Sequence, residues 1–286
     1  MDHPPLLHLS LCTGYGGIDL GLKRVLPHLR TVAYCEREAF ATANLVAKIE
    51  SGLLDHAPVW TDLSDFPYRQ FHGLVGILSA GFPCQPFSAA GRRRARDDER
   101  NLIPDVANAV RLCNPDLVFL ENVEGILRCH NEPNPVLADV LCRLESLGYT
   151  ATAGLYTAAE VGSPQKRLRV FILAHANSIR GCDQLRRAWS VALSNNGGSD
   201  TWPAPPSLKA GTGEPLRLIR KRSRHQSPLG GEADGLASEL VQSAGDFDGT
   251  SVSDELHLIG NGAVPAVAAL AFRELSTRLN GKLING

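Results

Sequence analysis

The feature that most constrains the fold of this chain is the alternation of short apolar runs with helix-like stretches. Five runs have the length and composition of buried strands: 6–12, 31–35, 74–80, 117–120 and 169–174. Three stretches have helical spacing of their apolar residues: 18–26, 39–50 and 265–279. Strands separated by helices predict an α/β fold, with a mostly parallel sheet and helices on both of its faces.

The composition of the chain changes at about residue 175. From there to residue 254 the sequence is dense in Gly, Ser, Pro, Asp and Arg, and regular apolar spacing returns at Leu256. On composition alone, this polar stretch is either a disordered insert or a small irregular lobe. We therefore divide the chain into a main domain at 1–174, a separate region at 175–255 and a segment at 256–286 that returns to the main domain.

Positive charge is segregated along the chain. The formal net charge is −1, yet residues 175–229 contain nine basic and three acidic residues, a local charge of +6. Such a segment suits a phosphate backbone. No apolar run approaches the roughly 20 residues of a membrane span, and the N-terminus lacks a signal-peptide pattern. We expect a cytoplasmic protein with no membrane partner.

One of the seven cysteines has unusual surroundings. An odd number of cysteines without a C-x-x-C pair argues against a disulfide framework and a structural zinc site, so no metal is expected. Cys84 follows the predicted strand at 74–80 and is flanked by Pro83 and Pro86. Ligands bind at this edge of parallel sheets, and the arginines that follow would lower the pKa of a thiol. Cys84 is therefore a candidate nucleophile, the alternative being a buried structural cysteine.

A glycine-rich turn links the first predicted strand to the first helix. Gly14, Gly16 and Gly17 would let a ligand approach the backbone closely at a helix N-terminus. This signal is weak alone, because many nucleotide-binding folds contain such a turn. Glu36 ends the second strand, where a carboxylate is suited to bind ribose hydroxyls. Together they predict a nucleoside cofactor.

Polar side chains also adjoin two later strands. Glu121 directly follows the buried run at 117–120, so its carboxyl is expected to be partly desolvated and able to stay protonated. Arg167 and Arg169 are two residues apart, which places them on the same side of a strand. Each of these features alone is more often a surface charge than part of a site.

Four segments occur in an order that resembles the DNA cytosine-5 methyltransferase family. They are Pro83-Cys84-Gln85, Glu121-Asn122-Val123, Gln165-Lys166-Arg167-Leu168-Arg169 and Gly260-Asn261-Gly262-Ala263-Val264-Pro265. The resemblance extends from about residue 7 to 174 and resumes near 258. It implies a Rossmann-like class I methyltransferase fold, in which 1–174 is the catalytic and cofactor-binding domain and 175–255 is the target-recognition region.

The resemblance also implies S-adenosylmethionine as the cofactor. The residues that would bind it are Gly14, Tyr15, Gly16, Gly17, Glu36, Asp62, Leu63 and Asn261. Among them, Glu36 would bind the ribose, and Asp62 with Leu63 would meet the adenine. Cys12 stands where the family usually has an aromatic residue that packs on the cofactor.

The implied substrate is a cytosine flipped out of double-stranded DNA. Cys84 would add to C6 of the base, Glu121 would bind N3 and N4, Arg169 would hold O2, and Arg167 would lie beside the nucleophile. Residues of the catalytic loop would contact the DNA: Gln85, Ser88, Arg92, Arg93 and Arg94. Members of the family commonly act as monomers.

Two other functions fit parts of the sequence. A tRNA cytosine-5 methyltransferase shares the Pro-Cys and Glu-Asn-Val motifs, although the basic segment is better suited to duplex DNA. A DNA-binding remnant would retain the fold without chemistry, since activity depends on the site and not on the fold. The acidic character of 230–254 and the short recognition region are departures from the family that keep this reading open.

Overall fold

The computed structural model describes residues 5–82, 102–127, 135–163, 167–177 and 262–284. The strands are β1 (Leu6–Leu11), β2 (Leu29–Cys35), β3 (Val59–Trp60), β4 (Ile77–Gly81), β5 (Leu117–Val123), β6 (Tyr149–Thr157) and β7 (Leu168–Ala176). The α-helices are α1 (Gly17–Val25), α2 (Ala39–Glu50), α3 (Ile103–Cys113), α4 (Val136–Ser146) and α5 (Pro265–Ile284). Short 3-10 helices occupy Tyr68–Phe71, Glu124–Leu127 and Ala158–Val161.

The seven strands form one sheet in the order β3-β2-β1-β4-β5-β7-β6. The pairs from β3 through β5 are parallel, whereas β7 is antiparallel to both β5 and β6. The predicted mostly parallel, Rossmann-like sheet is therefore confirmed. Strand order reverses between β1 and β4, and ligands bind outside the carboxyl ends of strands at such a point. The glycine turn follows β1 at this place, and Phe82 follows β4.

Helices cover both faces of the sheet. Successive strand residues point to opposite faces, so each strand packs against helices on both sides. In β5, Val118 and Leu120 pack on the side of α3 and α4, while Leu117 and Phe119 pack on the side of α1 and α5. The buried run at 117–120 is thus apolar at every position, as expected of a strand covered on both faces.

The last helix packs closely on the first. A Cβ atom added to Gly21 of α1 would lie 2.6 Å from the carbonyl oxygen of Pro265 and 2.7 Å from Cβ of Ala268. Only glycine permits this approach of the two backbones. The contact brings the beginning of α5 beside the glycine turn that precedes α1.

Some predicted boundaries were wrong, and several elements lacked a clear sequence signal. The strand predicted at 74–80 begins at Ile77, because Leu74 is 62% exposed and belongs to a turn in which its N–H bonds the carbonyl of Phe71. The strand predicted at 117–120 continues to Val123, so Glu121 lies within β5. Strands β3 and β6 and helices α3 and α4 were not predicted. Among the helices of the described ranges, none has the length and apolar character needed to span a bilayer.

Candidate active site

The glycine turn and Glu36 meet at the carboxyl ends of β1 and β2. The N–H of Gly14 donates to Oε2 of Glu36 at 2.7 Å, and the N–H of Glu38 donates to Oε1 at 2.8 Å. Gly14 has φ +58°, and no heavy atom lies within 4 Å of the position that a Cβ would take there. The two backbone donors fix the carboxylate, and open space adjoins the turn.

This arrangement fits a nucleoside cofactor. A carboxylate oxygen that accepts one backbone N–H retains capacity for another donor, such as a ribose hydroxyl. Helix α1 begins at Gly17, directly after the turn, so its N-terminal N–H groups favour a carboxylate near Gly14 and Gly16. The turn therefore has the geometry to hold an amino-acid moiety while Glu36 holds a ribose.

Asp62 and Leu63 lie beyond the end of β3, on the same edge of the sheet as Glu36. The N–H of Glu36 donates to the carbonyl of Trp60 at 2.8 Å, which ties the two strand ends together. Asp62 is exposed, and its Oδ1 accepts the N–H of Ser64 at 2.9 Å, which holds the pKa of the carboxyl below its usual value. Leu63 packs partly against the core.

Among the predicted cofactor residues that the structure describes, Tyr15 has the most buried side chain. It is 2% exposed, and its hydroxyl donates to the carbonyl of Ala263. Its ring occupies the space that a side chain on Gly262 would need. From the other side, Nζ of Lys48 donates to the Tyr15 carbonyl at 2.7 Å. The glycine turn is thus fastened to the segment that precedes α5.

The structure brings Glu121 and both predicted arginines together. Glu121 lies opposite Gly81 of β4 in the sheet, and its side chain is buried. Nε of Arg169 is 2.8 Å from its Oε1. Arg167 donates from its guanidinium to the carbonyl of Gly262. The three side chains, predicted from two separate motifs, form one cluster beside the end of β4.

The cluster sets the protonation of Glu121. Burial raises the pKa of its carboxyl, while the charge of Arg169 and then that of Arg167 lower it, and burial has the largest effect. The pKa of Arg169 is itself lowered by burial and by the neighbouring charge of Arg167. The carboxyl therefore keeps a proton to higher pH than an exposed glutamate, and it can donate a hydrogen bond.

Asn122 connects this cluster to the end of β4. Its side-chain N–H donates to the carbonyl of Phe82 at 2.9 Å, and its Oδ1 accepts the N–H of Val123. Phe82 is two residues before Cys84. Asn122 was part of a predicted motif without a predicted role, and its contact fixes the point from which the chain continues to the cysteine.

A family model of the C-5 cytosine-specific DNA methylases matches residues 7–206, well over half of the chain. The chain belongs to this family. The match spans the glycine turn, the Glu121 cluster and the sheet that positions them. It confirms the family that the sequence motifs predicted.

Curated relatives match somewhat more than half of this chain. It is 32% identical over 171 residues to "Type II methyltransferase M.PspPI" of Psychrobacter sp., covering 58% of this chain and 38% of the relative. It is 34% identical over 174 residues to "Type II methyltransferase M.NgoMIV" of Neisseria gonorrhoeae, covering 59% and 51%. The chain thus spans about half the length, or less, of these relatives.

A solved structure resembles the chain over nearly its whole length. The Dnmt2 methyltransferase of S. pombe aligns with a TM-score of 0.60 and 16% identity, covering 96% of this chain and 99% of that chain. At this identity the likeness shows the shared fold alone.

Several residues predicted for the methylase site lie outside the described residues. They are Cys84, Gln85, Ser88, Arg92, Arg93, Arg94 and Asn261. Nearly all of the predicted recognition region, 178–255, lies outside them as well. Within the described ranges, no group of three or more His, Cys, Asp or Glu side chains is placed to hold a metal ion.

Two buried polar features of the protein were not predicted from its sequence. Lys48 is fully buried beneath the glycine turn, and His8 and Asp19 are fully buried between β1 and α1. For Asp19 a signal existed: it is a charged residue between the apolar Ile18 and Leu20, at a position that α1 buries. Lys48 gave no signal, because a lysine in the last turn of a helix is usually solvated.

Proposed function

We propose that this protein transfers a methyl group from S-adenosylmethionine to C5 of cytosine in duplex DNA. One observation carries most of the proposal: the buried Glu121 carboxyl, 2.8 Å from Arg169, adjoins the end of the strand that leads to Cys84. Family membership supports the same reaction. A carboxyl that holds a proton and a guanidinium that holds a carbonyl oxygen are the groups a cytosine ring needs beside an attacking thiolate.

The cofactor site would be formed by the glycine turn and the strand ends beside it. Gly14, Tyr15, Gly16 and Gly17 would meet the amino-acid part. Glu36 would accept the ribose hydroxyls, with Asp62 and Leu63 near the adenine and Asn261 completing the pocket. When bound, S-adenosylmethionine supplies an electrophilic methyl group. The residues of the turn fit this role because its N–H donors and open space suit a charged amino-acid group.

The protein's own groups would activate the base. C5 of cytosine is a poor nucleophile until the Cys84 thiolate adds at C6 and converts the ring to an enamine-like species. Glu121, whose pKa is raised by burial, would donate to N3 in its protonated form and stabilise the developing charge. Arg169 would hold O2, with Arg167 next to the nucleophile. After methylation, loss of the C5 proton and elimination of Cys84 restore the aromatic ring.

The target base must leave the duplex to reach these groups. We propose that Gln85, Ser88, Arg92, Arg93 and Arg94 contact the DNA around the flipped base, and that 175–255 reads the surrounding sequence. We further propose that the segment 256–286 belongs to the catalytic domain 1–174. We also propose that the protein is a monomer acting in the cytoplasm on nucleoid DNA.

Transfer of a tritiated methyl group tests this proposal. The purified protein is incubated with labelled S-adenosylmethionine and either genomic DNA free of cytosine methylation or total tRNA. We expect label in DNA, located at C5 of cytosine after hydrolysis, and none in a Cys84→Ala control. Label in tRNA alone would assign the protein to the RNA enzymes, and label in neither would leave a DNA-binding remnant.

A further inference from the structure

Lys48 is a buried cation directly beneath the cofactor turn. It lies in α2 and its side chain is fully buried. Its Nζ donates to the Tyr15 carbonyl at 2.7 Å and lies 4.7 Å from the centroid of the Tyr15 ring. Lysine is almost never fully buried unless its charge is engaged, because desolvation of an ammonium group is costly. Here the charge is engaged by both the backbone and the aromatic face of one residue.

The Tyr15 side chain carries this restraint across to another part of the chain. Its hydroxyl donates to the Ala263 carbonyl, and its ring packs where Gly262 has no side chain. Gly17 at the start of α1 meets the same carbonyl so closely that a Cβ there would collide with it. Tyr15 therefore holds three parts of the chain together: helix α2, the glycine turn and residues 262–263.

Residues 262–263 also contact Arg167, which belongs to the Glu121 cluster. Arg167 donates to the carbonyl of Gly262, next to the carbonyl of Ala263 that Tyr15 uses. Adjacent carbonyls thus accept one donor from the cofactor side and one from the side of Glu121. A displacement of Tyr15 would move the turn relative to this segment, and the N–H of Gly14 that contacts Glu36 would move with it.

We propose that Lys48 and Tyr15 are positioning residues that hold the glycine turn in the shape that binds S-adenosylmethionine. The inference rests on the proposed function and adds to it a pair of residues that act through the backbone of the turn. Sites whose supporting contacts are preorganised lose affinity when those contacts are removed, because binding must then also order the site.

The test measures cofactor affinity separately from turnover. In Tyr15→Phe, which keeps the ring and removes the hydroxyl, we expect the Kd of S-adenosylmethionine from calorimetry to rise about fivefold, the effect of one buried hydrogen bond. In Lys48→Met we expect a rise of about tenfold in both Kd and KM for the cofactor. In Lys48→Met we expect kcat at saturating cofactor to stay within about threefold of wild type. Lys48→Arg, which restores a cationic donor, is expected to recover part of the affinity.

Lys23→Met is the matched control. Lys23 lies in helix α1, six residues after Gly17, and its Nζ is 2.9 Å from Asp55. We expect it to bind the cofactor like wild type, and thermal melting of each variant confirms that folded proteins are compared.

The outcomes separate this inference from the proposed function. Wild-type protein that neither binds the cofactor nor transfers a methyl group would contradict the proposed function itself. If the wild-type protein binds the cofactor and Tyr15→Phe and Lys48→Met bind it with the same affinity, only the positioning role is overturned. The same holds if Lys23→Met loses as much cofactor affinity as these two variants. If Lys48→Met fails to fold, Tyr15→Phe decides, since it removes one oxygen atom only.

Discussion

At the scale of single residues, the decisive group is Glu121, a carboxyl whose burial outweighs its two arginine neighbours. The raised pKa means that the protonated form persists to higher pH than in an exposed glutamate. Since the proposed role requires the proton, activity is lost as pH rises through that pKa. In the proposed mechanism the side chain would both recognise the base and produce an alkaline limb in the rate profile.

We predict that Glu121→Gln lowers kcat by about 10²- to 10⁴-fold, the usual effect of removing a general acid or a charge-stabilising donor. The pH dependence assigned to Glu121 should disappear from the residual rate. The measurement is a pH series of methyl transfer at saturating DNA and cofactor.

The control for this substitution is Glu124→Gln, which changes an exposed glutamate three residues further along the chain. It is expected to keep the wild-type rate and pH profile. A Glu121→Gln enzyme with wild-type turnover would show that the buried carboxyl does not act on the base.

The sequence identified this cluster only in part. The motifs supplied Glu121, Arg167 and Arg169, but the 2.8 Å contact depends on the antiparallel register of β5 and β7, which pairs Val123 with Arg169. No local pattern encodes a contact between residues 48 positions apart. The role of Asn122 was hidden for the same reason, because its partner Phe82 directly follows another strand, β4.

At the scale of elements, β1 and α1 are joined by a buried polar network. His8 bonds Thr31 of β2 and Ser79 of β4, at 2.9 and 2.8 Å. Asp19 of α1 accepts the Ser10 hydroxyl at 2.9 Å and lies 3.5 Å from His8. Burial lowers the pKa of His8 to about 3 and raises that of Asp19 to about 7. Between pH 4 and 6.5 the folded pair therefore holds one proton.

The unfolded pair also holds one proton in that range, since a solvated Asp is ionised and a solvated His is protonated. The two contributions to the pH dependence of stability thus cancel in the wild-type protein. We predict that Asp19→Asn removes this cancellation, so that the contribution of His8 to the pH dependence of stability becomes measurable. The unfolded state then binds a proton that the folded state does not, so stability falls as pH drops below about 6.5. Between pH 7.5 and 5.5 the loss relative to wild type is about 2 kcal/mol, because in the wild-type protein the proton taken up by folded Asp19 near pH 7 offsets the proton taken up by the unfolded histidine near pH 6.5.

Urea unfolding at the two pH values measures this effect as the change in the free energy of unfolding relative to wild type. The double variant His8→Gln/Asp19→Asn should lose the acid sensitivity that Asp19→Asn gains. If the free energy of unfolding changes with pH equally in wild type and in Asp19→Asn, protonation of Asp19 does not offset the neutral state of His8 in the folded protein.

The elements predicted from sequence were those with continuous apolar character. Strands β1, β2 and β5 are mostly buried, and helix α2 buries one of its faces. All four were placed to within a few residues. Strand β6 was missed because it is an edge strand of small and polar residues, Tyr149–Thr157, most of them only half-buried. The antiparallel placement of β7 between β5 and β6 was equally hidden, since pairing direction depends on connections and not on composition.

At the scale of the whole molecule, the near-neutral net charge conceals the basic segment at 175–229. If this segment contacts the DNA backbone, each phosphate contact releases counterions and makes the negative slope of log affinity against log salt steeper by about 0.9. We predict that replacing Arg220, Lys221 and Arg222 together with Gln makes that slope shallower by up to about 2.7. Fluorescence anisotropy of duplex DNA between 50 and about 200 mM salt measures the change.

The control here is Arg143→Gln, which removes a charge from α4, where Arg143 pairs with Asp139 at 3.0 Å. Its salt slope should match wild type. An unchanged slope in the triple variant would exclude these three residues from the DNA contacts and would place the recognition surface elsewhere.

Covalent trapping tests the central claim most directly, because it reports attack by Cys84 on a cytosine. A pool of random-sequence duplexes containing 5-fluorocytosine is incubated with the protein and S-adenosylmethionine, since fluorine at C5 cannot leave as a proton does. We predict an adduct that survives denaturing electrophoresis, maps to Cys84 by mass spectrometry and is absent in Cys84→Ser. Wild-type protein that binds the duplexes and the cofactor yet forms no adduct would contradict the account.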